Sequence, residues 1–229
     1  MSTDATRRGY DTVAPDYAHA VSGELADKPL DRGLLDAFVS LVGGGAVVDL
    51  GCGPGHVAAY LRTRGTDVVG LDLSPAMCAI TRRSAGVPAC AADMTVLPVK
   101  SRSLAGVVCC YAVIHLDDEA RCLAYEEIAR VLRDGGHALI AFHTSDADTP
   151  SGQSKLVHEW WGHEVELTFR FLDADAEVQS LSVTGLDLVA RLDREPHEGV
   201  EHPSRRSYLL VRQRHGDIAA AAEPQLMSW

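Results

Sequence analysis

The run Ala46-Val47-Val48-Asp49-Leu50 leads directly into Gly51-Cys52-Gly53-Pro54-Gly55, and this junction limits the fold more than any other feature of the chain. A short apolar run suits a strand buried on both faces of a parallel sheet. Glycines at its end let the backbone turn sharply and approach a ligand with no side chain in the way. In open α/β sheets, ligands sit where such loops leave the carboxyl ends of the strands. The spacing is G-x-G-x-G. A dinucleotide fingerprint would place glycine at 56, where this chain has His56, and a P-loop would continue Gly-Lys-Ser/Thr, which is absent. Both phosphate-binding readings are weakened.

The flanking pattern extends the sheet. Leu30, Leu34, Leu35, Phe38, Leu41 and Val42 recur at three and four, giving one apolar helix face that Gly43-Gly44-Gly45 stops. After the glycine loop come a helix over 56–63, a strand over 67–72 and a helix that Ser74 caps, with Pro75 in its first position. Short strands follow at 88–92 and 104–111. Asp117 caps a helix to about Leu132, with Ala120, Leu123, Ala124, Ile128 and Val131 inward. Asp134-Gly135-Gly136 reads as a turn and 137–143 as a fifth strand. The alternation predicts an α/β fold, a doubly wound parallel sheet. Beyond it, 144–152 reads as a loop, 174–182 as a helix, and 186–192 with 208–212 as two strands joined as a hairpin. The division expected is an N-terminal helical lid over 1–45, a nucleotide-binding core over 46–143, substrate-side strands over 144–213, and a disordered tail over 214–229.

Charge narrows the partners. Lys+Arg is 21 against Asp+Glu 32, a formal net charge of −11 that repels a phosphate backbone, so no nucleic acid is expected. No apolar run approaches the ~20 residues that a membrane helix needs, and Met1 to Tyr10 lacks the apolar core of a signal peptide, so the expected location is cytoplasmic. Cysteines stand at 52, 78, 90, 109, 110 and 122 without a C-x-x-C pair. They read as small buried hydrophobes, with no disulfide framework and no metal site. An Arg and Ala bias with only three Lys points to a high-GC bacterial genome.

Two further carboxylates stand at strand ends. Asp72 closes the second strand, where an acidic residue accepts hydrogen bonds from both ribose hydroxyls. Asp93-Met94 follows the third, where a carboxylate can take an exocyclic amino group of adenine while Met94 packs on the ring. Each Asp alone can be read as a loop cap. Three acidic residues at three successive strand ends, one beside G-x-G-x-G, make a nucleotide site.

These segments carry a resemblance. Val48 to Gly55 resembles the first motif of class I S-adenosylmethionine-dependent methyltransferases, in the small-molecule, ubiquinone/menaquinone-like branch. Gly70 to Ser74 is similar to the family's ribose-binding strand end, and Ala92-Asp93-Met94 with Leu97-Pro98 to its adenine segment. Val108 to Leu116 and Leu132 to Gly136 resemble the later motifs, and Tyr10-Asp11 with Ala14 and Tyr17 the amino-terminal segment. The resemblance implies a Rossmann-like seven-stranded sheet, mostly parallel, whose last strand is antiparallel. It implies S-adenosyl-L-methionine as cofactor and S-adenosyl-L-homocysteine as product. The cofactor contacts it implies are Asp49, Gly51, Cys52, Gly53, Gly55, Asp72, Leu73, Asp93, Met94 and Tyr111. Methyl transfer from a sulfonium starts from an activated leaving group, so alignment and exclusion of water supply most of the rate, and no metal is expected.

His115, after the fourth strand, is the candidate catalytic residue, as a base or as a positioning group. Candidate substrate contacts are Tyr10 and Tyr17 on the lid, joined by His19, then His143 at the fifth strand's end, and Trp160-Trp161, which bring large apolar area with a polar handle. Arg205-Arg206 reads either as a carboxylate site or as solvated. The expected activity is methyl transfer to an oxygen or nitrogen of a small molecule, in a monomer or homodimer. The rivals are an NAD(P)-dependent oxidoreductase and a protein of this fold that holds the cofactor without transferring methyl.

Overall fold

In the computed structural model, residues 3–215 are described, and the expected tail, apart from Arg214 and His215, lies outside them. Two helices open the chain, α1 (Thr3–Val21) and α2 (Pro29–Val42), with a 3-10 turn at Glu24–Asp27 between them. Then come β1 (Ala46–Leu50), α3 (His56–Thr63), β2 (Asp67–Asp72), α4 (Pro75–Ile80) and β3 (Ala89–Ala91). The core continues with β4 (Leu104–Cys110), a 3-10 turn at Val113–His115, α5 (Asp118–Val131) and β5 (Leu132–Asp146). The remainder is β6 (Ser154–Trp160), β7 (His163–Arg170), α6 (Ala174–Val183), β8 (Leu186–Arg194) and β9 (Ser204–Gln213).

Local chemistry sets several boundaries. The Ser74 hydroxyl accepts from the Met77 N–H at 3.1 Å, and Asp117 accepts from the Ala120 N–H at 3.0 Å, each relieving an orphan donor at a helix start. Gly43 ends α2 in the left-handed region. The seven-stranded sheet has the order β3-β2-β1-β4-β5-β9-β8. Neighbours are parallel from β3 to β5, and β9 runs antiparallel to both β5 and β8. Val47, Val108 and Leu139 face Leu35, Phe38 and Leu61 on one side; Val107, Cys109 and Ile140 face Ile128 and Leu181 on the other. No described helix is long and apolar enough to cross a membrane.

Several expectations are corrected. Leu30, Leu41 and Leu123, read as inward, are exposed, because each lies at the edge of a helical stripe narrower than its sequence pattern. Cys90 and Cys122 are exposed thiols, not buried ones. The turn at 134–136 is absorbed into an irregular β5, whose register shifts opposite Leu104 and Gly106, and β5 runs on through Thr144–Asp146, read as loop. A whole hairpin, β6–β7, forms a separate two-stranded sheet. Helix α1 packs on it through Val13, Val165 and Leu167, with Gly9 so close that a Cβ there would lie 2.8 Å from Leu167 Cδ2. Together α1 and the hairpin form a cap over the carboxyl ends of the parallel strands.

Candidate active site

The glycine loop is built for close approach. Gly51 has φ +72°, and a Cβ there would stand 2.2 Å from the Ala112 Cβ, so only glycine fits. The Gly51 and Cys52 N–H groups both donate to the Leu71 carbonyl, at 2.7 and 3.0 Å, which ties the loop to β2. At the end of β2, Asp72 binds two turns at once. Its Oδ2 accepts from the Gly53 N–H and its Oδ1 from the Ser74 N–H, each at 2.8 Å. After β3, Asp93 Oδ1 accepts from the Thr95 N–H and hydroxyl, at 2.9 and 2.8 Å. The cap reading and the ligand reading thus coexist for both residues, since each carboxylate oxygen has more than one lone pair.

These residues share one cleft. Gly51, Gly53, Asp72, Leu73, Asp93 and Met94 line it, with Tyr111 and His115 on its far side. Asp49 and Cys52 line a smaller adjoining pocket beneath the loop, with Gly51, Gly53 and His56. Gly55 lines neither; it caps α3, with φ +86°. Asp49 is 1% exposed and its Oδ2 has no hydrogen-bond partner. Burial pushes its carboxyl up to about 7, against smaller opposing pulls from His56 and the Ala58 N–H. Burial likewise raises the Asp72 carboxyl, opposed by the two backbone donors.

Helix α1 roofs the cleft. Asp11 Oδ1 accepts from the Ser74 hydroxyl at 2.6 Å and from the Ala76 N–H at 3.2 Å, which fastens the cap to the turn that carries Asp72. Beyond Tyr10, Tyr17 and Tyr111 lies a second cavity of about 460 Å³. These three tyrosines line both spaces and so mark the passage between them. Aromatic rings form one wall. Trp160 and Trp161 stack at 4.4 Å, and Tyr10, Tyr17 and Phe169 meet Trp160 edge-on at 5.9, 5.6 and 5.4 Å. His143 lies on the Tyr111 ring at 4.8 Å, with its Nδ1 at 2.8 Å from the Ser204 hydroxyl. His19 is exposed on α1 and does not line the cavity.

His115 sits where three elements meet. Its Nδ1 is 2.9 Å from the Thr168 carbonyl, which only accepts, so Nδ1 carries the proton. Nε2 is therefore the lone-pair nitrogen, and the Tyr10 hydroxyl donates to it at 2.7 Å. Burial holds the ring down at about 4, so it is neutral. His143 is held at about 3, by burial first and then by the nearby Arg206 charge.

A charged wall faces the aromatic one, and the sequence did not announce it. Lys28, Glu201 and Arg206 line the cavity, all nearly buried. Glu201 takes Lys28 at 3.1 Å, Arg206 at 3.2 Å, and Arg194, whose Nη2 also donates to Asp31 at 2.8 Å. Arg206, one of the pair with a solvated reading, is 3% exposed, while Arg205 does lie in solvent. The only available signal was Arg206's place beside an apolar strand. Its own partners, Glu201 and the His202 and Ser204 carbonyls, are close in sequence, but Lys28 and Asp31 join the cluster from the other end of the chain.

Residues 47–136 match the family described as a methyltransferase domain. Over this segment the chain is similar to S-adenosylmethionine-dependent methyltransferases. The chain is 38% identical over 104 residues to a malonyl-[acyl-carrier protein] O-methyltransferase of Enterobacter lignolyticus, covering 45% of this chain and 40% of that one. It is 32% identical over 136 residues to the Salmonella typhimurium protein of the same description, covering 58% and 53%. The chain thus spans about half the length of these curated relatives or less. Among solved structures, the Burkholderia thailandensis 1,6-didemethyltoxoflavin-N1-methyltransferase, with 1,6-didemethyltoxoflavin and S-adenosylhomocysteine bound, superposes with TM-score 0.70 at 19% identity, covering 93% of this chain and 88% of that one. The [4+2]-cyclase SpnF gives 0.68 at 17%, covering 94% and 98%. Both show the fold. The cofactor of such methyltransferase domains is S-adenosylmethionine, and two features of this chain fit it: a glycine cradle that a Cβ would fill, and an orphaned buried carboxylate oxygen beneath it.

Proposed function

We propose that this chain transfers a methyl group from S-adenosylmethionine to an oxygen or nitrogen atom of a small molecule held in the aromatic cavity. One observation carries the reading: Tyr10, Tyr17 and Tyr111 line both the nucleotide cleft and the second cavity, so a ligand in each meets at that ring of hydroxyls. The sulfonium supplies an activated methyl group. The chain supplies alignment and exclusion of water, which suffice for this chemistry. Asp72 receives the ribose hydroxyls, Asp93 the adenine amino group with Met94 against the ring, and Asp49 a cationic amino group below the loop. Trp160, Trp161 and His143 hold the acceptor. His115 acts through Tyr10, whose hydroxyl it fixes from Nε2. Methyl transfer to oxygen is the activity in the names of the curated relatives, and transfer to nitrogen in that of the Burkholderia protein, so both acceptor atoms stand.

The test is binding. S-adenosylhomocysteine at a hundred times its dissociation constant should stabilise the fold by about 2.7 kcal/mol, read as a rise in melting temperature. No shift at saturating ligand overturns the cofactor reading. Reduced nicotinamide dinucleotide, tested alongside, should give none.

A further inference from the structure

Three tyrosines, Tyr10, Tyr17 and Tyr111, mark the passage between cleft and cavity, and His115 lines the cleft against Tyr10. None is placed to take a proton. Tyr10 donates to His115 Nε2, so the one imidazole lone pair is already engaged. Tyr111 shares a 2.6 Å hydrogen bond with the Tyr208 hydroxyl, which itself donates to Asp31 at 2.6 Å. Burial raises all three phenols and lowers His115, so each group stays in its neutral form at neutral pH.

The charged groups farther out are also committed. Glu24 is bound to His56 and Lys28, and Glu201 to Lys28, Arg194 and Arg206; burial pushes both acids up, but these hydrogen bonds and the Lys and Arg charges overcome it and hold both at about 2. Asp146 accepts from the Asp148 and Thr149 N–H groups, and its Oδ2 stands 4.0 Å from Lys155 and 3.7 Å from His202 at the solvent rim. His143 is pinned between Tyr111 and Ser204. The walls themselves are aromatic on the cap side and cationic at Lys28 and Arg206 opposite.

We propose that the acceptor is a planar aromatic compound whose methyl-accepting oxygen or nitrogen loses its proton to water before transfer, rather than to a side chain. This rests on the methyl-transfer reading above and names the substrate class for that site. The acceptor anion's lone pair forms the new bond to the methyl carbon while the sulfur–carbon pair stays on sulfur; the proton has already left to solvent. An acidic phenol or an acidic ring N–H meets this requirement. An aliphatic alcohol does not, because it has neither the flat face for Trp160 and Phe169 nor an accessible ionised state.

The experiment uses 7-hydroxycoumarin, the less acidic 2-naphthol, and the saturated alcohol decahydro-2-naphthol. Binding is first measured to protein saturated with S-adenosylhomocysteine, then transfer from S-adenosylmethionine as a gain of about 14 Da. The coumarin should bind at least about tenfold more tightly than the saturated alcohol, and Trp160→Ala should remove that preference. Each phenol's rate should rise about tenfold per pH unit and level off at that phenol's own pKa. One shared midpoint for both phenols overturns the proposal, because an enzyme group would then be the base. So does equal binding of the saturated alcohol, or the absence of any mass gain with either phenol while S-adenosylhomocysteine still binds. Loss of S-adenosylhomocysteine binding itself would instead remove the cofactor reading.

Discussion

Replacing Asp49 by asparagine should stabilise the ligand-free protein at pH 8 and weaken its grip on S-adenosylhomocysteine. The carboxyl is 1% exposed, lacks a partner for Oδ2, and is raised by burial from 3.8 to about 7. A folded-state pKa above the unfolded one means the unfolded chain loses this proton first. Stability present below about pH 4 is therefore lost as pH rises to about 7, and the full cost applies above that. About three units at 1.36 kcal/mol each make that cost roughly 4 kcal/mol. Asparagine removes it but leaves an amide group unpaired at the same place, at about 1–3 kcal/mol. The net gain at pH 8 is about 1–3 kcal/mol, or several degrees at about 2–4 °C per kcal/mol for a chain of this size. At pH 5 the wild-type carboxyl is protonated and the gain should vanish. Calorimetric melting of both proteins from pH 5 to 8.5 checks this, and a difference that is flat across the range refutes the buried-acid argument. Titration with S-adenosylhomocysteine near pH 6 in buffers of different ionisation enthalpy should show proton release from wild type, as a cationic amino group lowers the Asp49 pKa, and none from Asp49→Asn.

Other sites give independent checks. Asp72→Ala removes the acceptor for the Gly53 and Ser74 N–H groups as well as for ribose, so S-adenosylhomocysteine affinity by calorimetry should fall by about 2–4 kcal/mol; an affinity within twofold of wild type would leave Asp72 a cap only. Gly51→Ala puts a Cβ 2.2 Å from the Ala112 Cβ at φ +72°, and should destabilise by several kcal/mol in urea unfolding while abolishing cofactor binding. Glu201→Gln leaves Lys28, Arg194 and Arg206 converging without their shared anion, and should cost about 3–5 kcal/mol by the same measurement. An effect below about 1 kcal/mol would mean that water already screens the cluster.

The cap region was hardest to read in the sequence, for a definite reason. Ser154 to Arg170 mixes Lys, His and Glu with apolar residues, and five of the seven β6 residues are exposed, so no clean alternation stands out. Its turn, Trp161-Gly162, adopts left-handed conformations at both residues, with φ +48° and +76°. The paired tryptophans drew attention as pocket material and hid that turn. The three strand-end carboxylates, by contrast, were legible because each sits within two residues of a strand boundary fixed by local pattern.

Sequence alone determined what short-range physics controls: the β1–glycine-loop junction, the Ser74 and Asp117 caps, the alternation that makes a parallel sheet, and the positions of Asp49, Asp72 and Asp93. Tertiary structure alone decided which groups face each other. Tyr10 and His115 are 105 residues apart, and Tyr208 and Asp31 are 177 apart. Nothing in local periodicity encodes such pairings, because they arise only when the cap closes and β9 enters the sheet. The protonation states follow from the same closure: the side chains that would be bases in water are neutral or paired here because folding removes their solvent and supplies their partners.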